Sequence, residues 1–364
     1  MTVLQVADVP LNAVSLGRRH QVSTTCTGRS ALVRLGLFFA LVGVSVVIAS
    51  GAIDLGLRRT MTSDFGVFNR MVDGRINAAV VVTGSSRAMN QYDPREISRQ
   101  TGLTAWNIGV NGSQTDMQLA VLRTYLQHNV APAILLHNLD SFSFVTSRDG
   151  VAFPDLYIPY LKEPAIYGAL RKLDSDWWKA RYLPLYGYAV QDMRFTWTKG
   201  LASLAGRMPR ETRFNGFEPR HMPWTEDFDR FKRDHPAGVS FAIEQDAVDD
   251  LGAIVKEGTT RGARVVLVYS PVYIEMQRLD RRKAEIFERF RQIAARYGAT
   301  LWDYSDSPIS HHRELFYNSQ HLNAAGAAAF SADLARRLTM SGFTRSRLST
   351  ANPDVPSIGN AALE

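Results

Sequence analysis

Nineteen consecutive residues without a charge, Leu35 to Ile53 (LGLFFALVGVSVVIASGAI), divide the chain into two unequal parts. At about 1.5 Å rise per residue, roughly 20 apolar residues reach across the hydrocarbon core of a bilayer. Arg34 bounds the run on one side, and Asp54, Arg58 and Arg59 bound it on the other. A secretory signal core usually has only about 7–15 apolar residues, so an uncleaved transmembrane anchor over residues 34–57 is expected. Cleavage near Ser50-Gly51-Ala52 and a buried core helix stay open as the alternatives. Arg18, Arg19, Arg29 and Arg34 precede the run with no acid after Asp8, whereas the basic residues beyond it mingle with Asp54 and Asp64. That bias predicts a cytoplasmic N-terminus and a main domain on the other side of the membrane.

The polar, Ser/Thr/Arg-mixed residues 1–33 have no apolar period and read as a cytoplasmic tail. Past the anchor, strand and helix patterns alternate. Ala78 to Thr83 (AAVVVT) is a β-branched run, and Asp93-Pro94 opens a short helix that Gly102 stops. Leu103 to Ile108 is a second strand, Thr115 to His128 an amphipathic helix, and Ala133 to Leu139 a third strand. The alternation resumes with a helix over Phe241 to Gly258, a strand over Arg264 to Tyr269 and a helix over Arg278 to Tyr297. A strand over Thr300 to Asp303 and an Ala-rich helix over Asn323 to Leu338 complete it. This order predicts a three-layer α/β/α sandwich with a mostly parallel sheet over residues 74–340. Between about 141 and 240 the period is lost in a stretch rich in Tyr, Trp, Pro and Arg, which reads as a lid-like insertion. Residues 341–364 are polar and Pro/Gly-spotted, and read as a disordered tail.

The formal net charge of +7 is spread along the chain with no long Lys/Arg block, so nucleic acid is not an expected partner. The single cysteine excludes an intrachain disulfide and a Cys-rich zinc site. His311-His312 with Glu314 lacks a second histidine pair to complete a metal site, and no cofactor is called for. Tyr269-Ser270-Pro271 reads as a loop near the strand ends rather than a second nucleophile.

In open parallel sheets, active groups gather at the carboxyl ends of the strands. Ser85 and Ser86 follow the first strand, Asn111 and Gly112 the second, and Asn138 ends the third. His321 lies just before the last helix. A serine here can be a helix cap, a glycine a turn residue, and a lone histidine structural. Together, however, they supply what acyl transfer needs: a hydroxyl, a base, a group to orient the base, and donors for an oxyanion.

That order of blocks resembles the SGNH (GDSL-like) hydrolase superfamily, and within it the membrane-anchored, exported branch related to alginate O-acetyltransferases and the D-alanyl-transfer protein of teichoic acid. Gly84-Ser-Ser-Arg87 resembles the Gly-Asp-Ser block and implies Ser86 as nucleophile. Asn107-Ile-Gly-Val-Asn-Gly112 resembles the second block and implies that Gly112, with the Ser86 N–H, serves the oxyanion. Asn318-Ser-Gln-His321-Leu-Asn-Ala-Ala-Gly326 resembles the block Asp-x-x-His followed by Leu-Asn-x-x-Gly, and implies His321 as base. The chain departs from the pattern twice. Leu136-His137-Asn138 replaces Gly-x-Asn, with Asn138 as the implied oxyanion donor, and Asn318 stands where the family has an acid. Loss of the orienting acid in a serine triad costs about 10⁴-fold in turnover. A Ser–His dyad, help from Asp303 or Asp306, and a silent site all remain open.

The resemblance implies a flavodoxin-like fold and a bacterial inner-membrane location with the main domain periplasmic. It also implies a serine esterase or O-acyltransferase, O-acetyl above all, acting on an envelope polysaccharide or exopolysaccharide. A partner would be a multispanning acyltransferase or a polysaccharide export complex. Arg87 is the candidate to steer an anionic substrate, with capping or pairing to an acid as its alternative, and Trp177, Trp178 and Trp224 are the candidates to stack on sugar rings, with packing of the insertion onto the core as theirs. The competing reading is a catalytically silent scaffold or glycan-binding subunit.

Overall fold

The computed structural model describes residues 25–190, 194–208 and 210–343. The expected tails lie outside these residues up to position 24 and from position 344 on. The chain forms two units, one ending at Ile48 and one beginning at Ala49. Helix α1, Thr25–Arg59, carries the apolar run. From Ser30 it is long and apolar enough to cross a membrane, and its side chains are exposed there, among them Leu37, Phe38, Phe39 and Ile48.

From Ala49 on, the chain is built around five parallel strands: β1 (Val80–Thr83), β2 (Ala105–Asn107), β3 (Ile134–Asn138), β4 (Arg264–Tyr269) and β5 (Thr300–Asp303). Their order across the sheet is β2-β1-β3-β4-β5. Helix α2 (Ser63–Val72) leads in, α3 (Ser86–Gln91) and α4 (Pro94–Thr101) follow β1, and α5 (Thr115–His128) follows β2. After β3 come α6 (Pro164–Leu173), α7 (Trp177–Tyr182), α8 (Tyr186–Val190), α9 (Arg194–Leu204), α10 (Asp227–Asp234) and α11 (Gln245–Thr260). Helices α12 (Ile274–Leu279) and α13 (Lys283–Tyr297) join β4 to β5. A two-stranded antiparallel hairpin, β6 (Phe316–Asn318) and β7 (His321–Leu322), precedes α14 (Ala324–Met340).

The period-2 alternation of the strands divides the core. Val81, Leu135, Val265 and Leu267 bury against α2, α5, α11 and α13 on one face. Val80, Val82, Leu136, Val266 and Val268 bury against α4 and α14 on the other, where Phe330, Leu334 and Leu338 meet them. The result is the three-layer sandwich that the alternation predicts, with helices on both faces of the parallel sheet.

Local signals set several boundaries. Asp93 caps α4 through its side chain, and Gly102 ends it in the left-handed region at φ 71°. Asn323 caps α14 by accepting from the Gly326 N–H. The single helix expected over 278–297 is instead α12 and α13. Between them the Val239 N–H donates to the Leu279 carbonyl and the Arg281 N–H to the Val239 carbonyl, at 2.8 and 2.9 Å. The hairpin β6–β7 has no counterpart in the sequence reading.

Candidate active site

From Val80 to Pro94 every residue is buried except Ser86, which is partly exposed. The strand points into the core, and the first turn of α3 presents one side chain to the surface. Gly84, at φ 137°, makes this possible: a Cβ there would stand 2.9 Å from Asn138 Cβ and 3.0 Å from Ala88 Cβ. Ser85 is the N-cap, its hydroxyl accepting from the Arg87 N–H. Of the two serines, one is the cap and the other is free to react.

The Ser86 hydroxyl donates to His321 Nε2 at 2.8 Å. On the other side of the ring, Nδ1 lies 2.9 Å from Asn318 Oδ1. That oxygen also accepts from the backbone N–H groups of Gln320 and His321, each at 3.0 Å. Two backbone donors identify the atom as the amide oxygen, which can only accept, so the His321 proton sits on Nδ1. Nε2 then holds a lone pair toward Ser86, as a general base requires. Burial, with the positive Arg87 and Arg220 nearby, lowers His321 from 6.5 to about 3. The imidazole is neutral at physiological pH, and no carboxylate holds its Nδ1–H. Asp303 instead accepts from the Ser305 N–H and hydroxyl.

The hairpin brings these groups together. A tight β6–β7 turn places Asn318 opposite His321, and Tyr317 stacks on the imidazole at 5.3 Å with an 18° angle. Gln91 of α3 donates to the Gln320 carbonyl at 3.0 Å, tying the hairpin to the helix that carries Ser86. Beside His321 lies a cavity of about 230 Å³, walled by Phe228, Phe231 and Asp227 of α10 and by Met276 of α12. The segment between β3 and α11 thus supplies one wall of the site.

The turn after β2 abuts the Ser86 turn, where the Val110 N–H and the Ser113 hydroxyl both donate to the Gly84 carbonyl. Gly112 lies in this turn, exposed, at φ 67°. Gly109, which the sequence reading did not single out, is the tight contact. A Cβ there would stand 2.7 Å from both Ala88 Cβ and the Met89 nitrogen of α3. A glycine between Ile108 and Val110, just past the end of a strand, was the only signal the sequence offered.

Two sequence assignments are corrected. Asn138 is no oxyanion donor: it has no exposed surface, and its oxygen accepts from Tyr92 and Ser270 at 2.9 and 2.7 Å. Its amide nitrogen points to Leu139 O and Asp140 Oδ1. Arg87 does not reach substrate. It is 2% exposed, bonded to Asp140 at 3.0 Å, to the Leu139 carbonyl and to Ser270, with its guanidinium 4.9 Å from the Tyr269 ring. Trp177 and Trp178 are neighbours on α7, and none of the three tryptophans lines the cavity beside His321. Trp177 lines another cavity, of about 1030 Å³, in which Ser86, Asn318 and His321 take no part. Trp178 is exposed on α7. Trp224 packs edge-on against Phe228 and Tyr273, with Arg313 4.6 Å from its ring, so it backs the cavity wall rather than lining it.

Fold and site together define an α/β/α sandwich with a Ser–His–Asn relay at the carboxyl edge of its sheet. No protein-family model matches the chain, and the curated proteins include no significant match. Solved structures of similar outline include TesA, with 12% identity over 72% of this chain and 98% of that one at a TM-score of 0.38. Another is LAE5, an alpha/beta hydrolase enzyme from the metagenome of Lake Arreo, Spain, with 13% identity over 74% and 97% at a TM-score of 0.35.

Proposed function

We propose that this chain is a membrane-anchored serine esterase or O-acyltransferase that removes or adds acyl groups, acetyl foremost, on an envelope polysaccharide or exopolysaccharide, with its large domain facing the periplasm. The observation that carries the reading is the 2.8 Å contact between the Ser86 hydroxyl and a lone pair on His321 Nε2. Ser86 Oγ attacks the acyl carbonyl while His321 takes its proton, forming a tetrahedral adduct. His321 returns the proton to the departing alcohol, leaving an acyl-Ser86. Water or a sugar hydroxyl then gives its proton to His321 and attacks the acyl-enzyme, and His321 passes that proton to Ser86 Oγ as it leaves, restoring both groups. The N–H groups of Ser86 and Gly112 are the proposed donors to the oxyanion. The glycan, and a multispanning acyltransferase or export complex as partner, come from the resemblance of the sequence motifs.

A fluorophosphonate probe applied to the detergent-solubilised full chain tests the assignment. Labelling of the wild type that disappears in Ser86→Ala supports it, and equal labelling of both overturns it. A second reading, a silent glycan-binding scaffold, is favoured by the amide at Asn318 where a triad has its acid. It predicts no labelling of either protein with glycan binding retained.

A further inference from the structure

Helix α7, WWKARY, buries none of its six residues. A helix this short has no stability of its own, and this one leaves Trp178 41% and Tyr182 63% exposed. Leu183 next to it is 43% exposed, and Leu201 on α9 is 49% exposed. Apolar and aromatic side chains in such a group mark a contact surface.

The neighbours of this surface say what it contacts. The Leu185 N–H, just past α7, donates to Ser50 Oγ at 3.2 Å, and the Tyr188 hydroxyl of α8 donates to Asp54. On α9, Gly200 lies so close to α1 that a Cβ would stand 2.8 Å from the Ile53 carbonyl and 3.3 Å from the Leu57 side chain. Helices α8 and α9 therefore clasp residues 50–57, the turns in which the uncharged run Leu35–Ile53 ends. Tryptophan and tyrosine favour the level where a spanning helix leaves the hydrocarbon, since their rings are apolar at one end and polar at the other. Arg181 adds a cation beside apolar surface, 4.2 Å from the Tyr167 ring and 5.4 Å from that of Tyr182, while Lys179 is paired with Asp176 at 2.7 Å.

We propose that α7 and the adjoining faces of α8 and α9 form a seat for the bilayer interface. Trp178, Tyr182, Leu183 and Leu201 enter the headgroup region, and the domain is thereby held in one orientation on the membrane. This rests on the reading of α1 as a membrane span. It also gives Trp178 a role other than sugar stacking.

The test uses the full chain with Cys26→Ser, reconstituted in vesicles of phosphatidylethanolamine and phosphatidylglycerol. Spin labels are placed singly at Leu183→Cys, at Val42→Cys within the span, and at Lys256→Cys on the exposed side of α11. Each label's collisions with oxygen, which concentrates among acyl chains, are compared with its collisions with a water-soluble nickel chelate. The seat predicts that positions 42 and 183 both favour oxygen, with nickel collisions at 183 several-fold below those at 256. A label at 183 as open to nickel as that at 256, with 42 still in lipid, overturns the seat and leaves the anchor standing. If 42 is itself open to nickel, the anchor fails and the seat with it. A label at 183 shielded from both reagents means that protein, such as a second copy of the chain, covers this face, which also overturns the proposal.

Discussion

The side-chain oxygen of Asn318 holds the Nδ1–H of His321 at 2.9 Å across a tight hairpin, while two backbone N–H groups fix that oxygen in place. The amide sets the tautomer as a carboxylate would, but adds no negative charge to an imidazole already made hard to protonate. Orientation and charge stabilisation, joined in an Asp–His pair, are separated here.

Replacing Asn318 by Asp is therefore expected to raise the His321 pKa from about 3 and to increase turnover. The gain is bounded by the roughly 10⁴-fold that separates an acid from an amide in a serine triad. The pH–rate profile of ester hydrolysis reads both effects, since its acid limb should move to higher pH in Asn318→Asp. A lower turnover with an unmoved acid limb would contradict this account.

Gly109→Ala is expected to push α3 away from the β2 turn, because the added methyl group meets Ala88 and the Met89 backbone at 2.7 Å. A displacement of about 1 Å at a nucleophile costs on the order of 10²-fold in rate. Steady-state kinetics should show that loss mainly in kcat, with circular dichroism of the folded chain unchanged.

Arg87, next to Ser86 in the chain, pairs with Asp140 at 3.0 Å, and both partners are almost fully buried. Arg87→Met leaves Asp140 buried and unpaired, and should cost about 3–5 kcal/mol of stability. Arg87→Met combined with Asp140→Leu should recover most of it. Urea midpoints of the three proteins decide the matter, and a double variant no better than the single would refute the pairing argument.

Two buried histidines act against the fold in acid, well above the carboxylate range. His137, buried in β3 beside Thr83, is lowered by burial to about 3, as is His321. Below about pH 6.5 the unfolded chain binds protons at both residues while the native state does not, so the fold loses stability as pH falls from 6.5 toward 3. Burial raises Asp140, which acts in the opposite sense, so the measurement is a difference: from pH 7 to pH 4 the urea midpoint of the wild type should fall relative to that of His137→Leu with Thr83→Val.

Much of this protein is written locally. The apolar run, the strand β4, the helix α5 between Thr115 and His128, and the caps Asp93, Gly102 and Asn323 follow from short-range sterics and hydrogen bonding. So does the pairing of a serine with a late histidine as the candidate centre, through short motifs. What only the tertiary structure decided depends on groups far apart in sequence. Asn138 and Arg87 stand at strand ends where substrate contacts are expected, yet the packing of β1, β3 and β4 closes them into one buried polar network. The hairpin that aligns Asn318 with His321 is too short to leave a periodic signal. Trp177, Trp178 and Trp224 look alike in the sequence, and only the path of the insertion separates a cavity lining, an exposed helix face and the backing of the wall beside His321. Side-chain chemistry is fixed residue by residue, whereas exposure is a property of the folded surface, and exposure determines which of those groups meets a substrate.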